Sequence, residues 1–177
     1  MTHPEFSLTE FEMRHPQVVR RYRLLGKSTY GAVFLINGRA VKYTLVSHEA
    51  KVARKLQGLK LPGVVRIFGV RKLGEYYVIT QERLWHYDGE ATERIYDILD
   101  VLHGSRRKTT TVVLRDLQEI RPVHPLHLKL IPELCEAIAS LREAGFVHGD
   151  LTHTKNIMHT SKGKLRLIDF GKARRVR

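Results

Sequence analysis

Two short segments in the last third of the chain hold the residues best suited to chemistry. Phe146-Val147-His148-Gly149-Asp150-Leu151-Thr152-His153-Thr154-Lys155-Asn156-Ile157-Met158 sets a carboxylate just after a short apolar run. Leu167-Ile168-Asp169-Phe170-Gly171 sets a second one nineteen positions after Asp150. A carboxylate just after an apolar strand can accept a hydroxyl proton. Another at the end of a neighbouring strand can hold a divalent metal on phosphate oxygens. Two carboxylates and an amide converging from neighbouring loops are what phosphoryl transfer with Mg2+ needs.

Together the two segments resemble the catalytic loop and the metal-binding Asp-Phe-Gly of the protein-kinase-like superfamily. Gly149 and the Leu-Thr after Asp150 are most similar to its small atypical branches. Those include the Bud32-type and lipopolysaccharide-kinase-like proteins, and the aminoglycoside and choline phosphotransferases. The resemblance implies that Asp150 orients or deprotonates an acceptor hydroxyl and that Asp169 with Asn156 holds metal. His148 would orient the loop by hydrogen bonding.

The N-terminal half carries the same resemblance. Leu25-Gly26-Lys27-Ser28-Thr29-Tyr30-Gly31-Ala32-Val33 is similar to the kinase glycine-rich loop. There a flexible strand–turn–strand brings backbone N–H groups to the triphosphate of ATP. Gly26, Lys27, Ser28 and Gly31 would line the phosphates, Val33 would cover the adenine, and Ala40 would lie on the next strand. Glycines in a hairpin also serve a turn alone. Eleven positions after Gly31, Ala40-Val41-Lys42 resembles the strand-three lysine motif. A Lys inside a Val- and Tyr-flanked strand needs an anionic partner, either ATP phosphates or a carboxylate. Glu49 fits that role; the alternative is a solvated Glu on an exposed helix face. Glu75–Leu84 would be the strand entering the hinge, with Gln81 (or Thr80) as gatekeeper and Glu82 to Leu84 giving backbone contacts to adenine.

The sequence also departs from the family pattern. Ser28 replaces the middle glycine of the loop, narrowing it without forbidding it. Gly149 stands where many protein kinases have Arg, so pairing of that Arg with an activation-loop phosphate is not expected. The metal-binding Asn ordinarily follows the Asp by five positions, where Lys155 stands; Asn156 is one later. Asn156 is preferred, because a Lys beside Mg2+ is repelled. Six residues follow Gly171, so neither an activation segment nor a helical docking lobe is expected. The basic run Lys172-Ala173-Arg174-Arg175-Val176-Arg177 either grips an acidic substrate or nucleic acid, or frays.

These loops must be positioned by ordinary elements. Val33–Ile36 and Arg39–Tyr43 flank Asn37-Gly38, a hairpin signal because both turn positions favour φ > 0. Ser47 reads as the N-cap of a helix through about Leu59, with Ala50, Ala53 and Leu56 on one face. Val64–Val70 and Glu75–Gln81 read as strands, Ala91–Leu102 as a helix, and 104–111 as a basic, Thr-rich loop. Pro132–Ala144 reads as a helix ended by Gly145. Residues 1–20 read as a polar lead-in with one helical turn.

The expectation is an α+β, bilobal protein-kinase-like fold. It would have a lead-in over 1–19, a small antiparallel-sheet N-lobe over 20–84, and a reduced helical C-lobe over 85–177. The chain has 177 residues, 31 Lys plus Arg against 18 Asp plus Glu, and a net charge of +13. The basic residues fall in scattered clusters at Arg20, Arg21 and Arg23, at Arg106, Arg107 and Lys108, and in the tail. Such clusters are either solvated surface or a means of holding nucleic acid or an acidic partner. No run of ~18 apolar residues exists, so no membrane span is expected. The polar start lacks a signal-peptide core, and the lone Cys135 fits a reducing compartment, giving a cytoplasmic reading.

The functional expectation is ATP- and Mg2+-dependent transfer to a Ser or Thr hydroxyl of a protein. The alternatives are a small-molecule phosphotransferase and a nucleotide-binding pseudokinase or adaptor.

Overall fold

In a computed structural model, which describes residues 5–104 and 109–176, the chain divides into two compact units. One runs to Leu59 and resumes over Arg66–Arg83; the other comprises Lys60–Val65 and the chain from Leu84 onward. The sequence places one boundary near residue 84, and residues 60–65 depart from it for a clear reason. The Val65 N–H donates to the Leu167 carbonyl at 3.0 Å, and the Leu167 N–H donates to the Gly63 carbonyl at 2.7 Å. Gly63 has φ 64° and faces Ala137 so closely that no side chain fits there. Because Val64 and Val65 are drawn into these bonds, the strand expected from Val64 begins only at Ile67.

The first unit is built on a five-stranded antiparallel sheet: β1 (Arg23–Ser28), β2 (Gly31–Ile36), β3 (Arg39–Thr44), β4 (Ile67–Leu73) and β5 (Tyr76–Gln81), in the order β1-β2-β3-β5-β4. Asn37 at φ 50° and Gly38 at φ 75° close the β2–β3 hairpin, with Ile36 opposite Arg39. The lead-in is more structured than expected. It forms α1 (Leu8–Arg14) and α2 (Pro16–Arg21). Phe11 is fully buried and packs on Phe34, Tyr43 and Tyr76 at ring separations of 4.8–5.7 Å. Burial of that ring is worth ~2–3 kcal/mol, enough to dock a polar segment.

Helix α3 (Ser47–Leu56) follows β3 after only two residues. Ser47 is its first residue, not its cap; Val46 caps it, and its N–H donates to Thr44 Oγ1 at 3.2 Å. Ala50, Val52, Ala53 and Leu56 are buried.

The second unit contains β6 (Trp85–His86), α4 (Gly89–Gly104), α5 (Thr110–Ile120), α6 (Pro125–Glu143), β7 (Phe146–Val147), β8 (Ile157–His159), β9 (Leu165–Leu167) and β10 (Arg174–Arg175). Its core joins Ile98 of α4, Leu117 of α5 and Ile131 and Leu134 of α6 to Ile157 and Leu167. β6, β8 and β9 form one small sheet, and β7 pairs with β10. The expected loop over 104–111 gives way to α5 at Thr110, and Arg106, Arg107 and Lys108 lie outside the described residues.

Helix α6 begins seven residues before Pro132. His124 caps it, accepting from the Leu126 N–H, while His127 accepts from the His124 N–H at 3.0 Å. Pro132 removes the bond to Leu128, whose side chain is exposed, so water can serve that carbonyl. His127, in the first turn of α6, is buried and its Nε2 lies 3.1 Å from Asp97 Oδ2. The basic tail is not frayed at its start either. β10 pairs with β7 with Arg174 opposite Val147, and the Val176 N–H donates to the Gly145 carbonyl at 3.0 Å. No helix among the described residues is long and apolar enough to cross a membrane.

Candidate active site

The residues singled out by the sequence fall into two sets, one in each unit. In the first unit Lys42 sits on β3 opposite Val33 on one side and Ile79 on the other. Its Nζ meets Glu49 Oε1 at 2.5 Å, with side-chain exposures of 12% and 6%. Glu49 lies in the first turn of α3, where the helix dipole favours a carboxylate. The tight β3–α3 connection brings the acid to the lysine over so short a gap in sequence.

On β1 and β2, Gly26 opposes Val33, Lys27 opposes Ala32, and Ser28 opposes Gly31. The Ser28 hydroxyl accepts from the Tyr30 N–H and donates to the Gly31 carbonyl at 3.5 Å, bracing the turn. The two glycines differ in their surroundings. A side chain on Gly31 would collide with the Tyr43 carbonyl of β3, so packing explains that residue. A Cβ on Gly26 would meet nothing within 4 Å, leaving open space above the strand. Val33 is half-buried and Ala40 buried. Gln81 is half-buried opposite Ala40, and Thr80 opposes Val41. Just beyond the sheet, the Glu82 N–H donates to the Arg66 carbonyl at 3.0 Å, and its carboxylate accepts from the Arg66 N–H at 2.9 Å. Leu84 is buried at the start of the second unit.

In the second unit the loop after β7 turns around His148. The imidazole is 2% exposed, its Nε2 donates to the Ile168 carbonyl at 2.7 Å, and its Nδ1 accepts from the Asp150 N–H at 3.3 Å. These partners require the neutral ring protonated at Nε2. Burial pushes its pKa below the ordinary histidine value, against the opposing pull of the Ile168 carbonyl and the Asp169 and Asp150 carboxylates.

Asn156 is buried and Lys155 exposed. The Asn156 amide donates to the Asp150 carbonyl at 2.8 Å and to its Oδ2 at 3.3 Å, and the Ile168 N–H donates to the Asn156 carbonyl at 2.9 Å. The one-residue offset is absorbed by the short 3-10 turn Thr154–Asn156. Asp169 takes φ 61°, a conformation that few non-glycine residues adopt, and its Oδ1 accepts from the Gly171 N–H at 3.2 Å. His153 is exposed, 3.9 Å from Asp150 Oδ1.

One residue was missed in the sequence. Lys172 reaches Asp150 Oδ1 with its Nζ at 3.0 Å. Counted with the tail, it looked like one more surface charge; its place directly after Asp-Phe-Gly was the available signal. Among the described residues no three His, Cys, Asp or Glu side chains cluster as a metal site would. Cys135 is buried within α6.

Two relatives match most of this chain. Cyclin-dependent kinase 11 of Dictyostelium discoideum is 22% identical over 153 residues, 85% of this chain and 40% of that protein. A protein of Acanthamoeba polyphaga mimivirus named as a serine/threonine-protein kinase is 28% identical over 163 residues, 85% of this chain and 27% of its own. A third, the KEOPS complex subunit Bud32 of Pyrococcus abyssi, is 35% identical over 82 residues, 46% of this chain and 33% of that protein. The chain is protein-kinase-like. No protein-family model matches this kinase-like chain. Its matches span 27–40% of the length of these curated relatives. The antiparallel sheet with its helix, followed by the helical unit, has the α+β character of that superfamily.

Proposed function

We propose that this chain binds ATP with Mg2+ and transfers the γ-phosphoryl group to a hydroxyl, Ser or Thr of a protein. The observation that carries this reading is the pair of bonds that holds Asp150. Asn156 and Lys172 each grip one of its carboxylate oxygens, fixing an acid beside a histidine-braced loop. A carboxylate so held can take the proton of an incoming hydroxyl. Lys42, fixed by Glu49, offers a part-buried cation suited to phosphate oxygens. Gly26, with open space where a Cβ would be, suits close approach of a phosphate to backbone.

Oxygen donors of these types suit a hard cation: Asp169 would supply a carboxylate, and with the Asn156 Nδ2 committed to Asp150, the Oδ1 of that amide would be its donor. When bound, Mg2+ would neutralise charge on the phosphate oxygens. Catalysis by the chain's own residues would be chiefly positioning and charge neutralisation.

The test has two arms. Thermal unfolding with and without ATP and Mg2+ should show stabilisation that is lost in Lys42→Ala. Mass spectrometry after incubation, with protein, sugar and aminoglycoside acceptors offered separately, should find phosphate on Ser or Thr. Transfer to the small molecules alone would replace the protein acceptor with a small one. Binding without any transfer would favour a nucleotide-binding adaptor.

A further inference from the structure

The structure assigns Lys172 a role of its own: we infer that it is a positioning residue for Asp150, supplying the loop's local cation from the segment after Asp-Phe-Gly. The inference rests on the phosphoryl-transfer reading, in which Asp150 receives the acceptor proton.

Several observations meet at this residue. Its Nζ lies 3.0 Å from Asp150 Oδ1, while Asn156 holds Oδ2, so the carboxylate is gripped from both sides. His153, a second basic side chain beside Asp150, stands farther off at 3.9 Å and is 64% exposed. The backbone of Lys172 is fixed rather than trailing. The Ala173 N–H donates to the Phe170 carbonyl at 3.1 Å and Ala173 is buried. Arg174 and Arg175 then pair with the strand that leads into the Asp150 loop.

Gly149 closes the case. It has φ 77°, and a Cβ there would collide with the Lys172 carbonyl oxygen. The backbone that forbids a side chain beside Asp150 therefore belongs to the residue that delivers the charge. The loop cannot carry its own cation at position 149, and Lys172 brings one from across the chain. An ordinary surface ion pair would lack this backbone clamp on one partner.

The Lys172 side chain is 65% exposed, so its substitution should leave the fold intact. Steady-state transfer from ATP would be compared for the parent, Lys172→Ala, Lys172→Arg and Asp150→Asn. The expected result is a fall in kcat of about 10- to 100-fold for Lys172→Ala with KM for ATP changed less than about twofold. Lys172→Arg should keep a larger share of kcat, and added methylammonium should partly restore Lys172→Ala, which a merely structural residue would not allow. A readout independent of turnover is the acetylation rate of Lys172 by mass spectrometry. It should rise about two- to fivefold in Asp150→Asn, as the carboxylate no longer engages the Nζ and shields it from the reagent.

Full kcat in Lys172→Ala beside an inactive Asp150→Asn would overturn the inference and spare the phosphoryl-transfer reading. So would a loss that neither Arg nor methylammonium relieves, or an unchanged acetylation rate. Full activity in Asp150→Asn would instead overturn the reading beneath it, and the inference with it.

Discussion

Gly149 lies directly against Lys172: its left-handed backbone leaves no room for a Cβ, because the Lys172 carbonyl oxygen fills that space. This contact locks the loop of Asp150 to the segment after Asp169, and the β7–β10 pairing reinforces it.

Gly149→Ala should therefore cost stability twice, through backbone strain and through steric overlap. The expected loss is about 2–4 kcal/mol. It is read as a lower urea midpoint with an unchanged slope. An unaltered midpoint would mean the loop relaxes freely.

The Lys42–Glu49 pair should behave as a buried ion pair. Glu49→Gln or Lys42→Ala leaves one charge largely out of water, at a cost of about 3–5 kcal/mol. The double variant Lys42→Met/Glu49→Leu should cost less than either single change. Chemical denaturation of all variants forms the double-mutant cycle, and strict additivity would contradict a direct interaction.

The histidines set a direction for pH. Burial lowers the pKa of His148, and of His127 together with its neighbour Arg94, below the ordinary 6.5. A group depressed in the folded state binds its proton more readily when unfolded. Its contribution is thus full above about 6.5 and drains as pH falls toward the folded value. The urea midpoint should fall between pH 7 and pH 5, and fall less steeply in His148→Gln.

Phe11→Ala should destabilise the first unit by about 3–5 kcal/mol, since the ring is fully buried among Phe34, Tyr43 and Tyr76. Calorimetry would show it as a fall in melting temperature. A surface-like change below about 0.5 kcal/mol would contradict the packing.

Phe11 also shows where sequence reading runs short. A single aromatic in a polar stretch carries no periodicity, so α1 was legible only as one turn; the aromatic cluster that anchors it is assembled from three distant strands. Asn37-Gly38 was legible because the turn demands local φ > 0. Pro132 misled, since a proline usually opens a helix, and the exposed turn at Leu128 lets α6 run through it. Lys42, Glu49, Asp150, Asn156 and Asp169 were each nameable from spacing and resemblance. That Asn156 rather than Lys155 turns toward Asp150 needed the short 3-10 turn. For Lys172 the sequence offered only its place directly after Asp-Phe-Gly, because its partner lies twenty-two positions away in the chain.

The most direct measurement is transfer of radiolabel from γ-labelled ATP with Mg2+ by the parent chain, Asp150→Ala and Lys42→Ala. Incorporation is expected for the parent, with a loss of about 100-fold or more in Asp150→Ala and a comparable loss in Lys42→Ala. Undiminished labelling in either variant would contradict it.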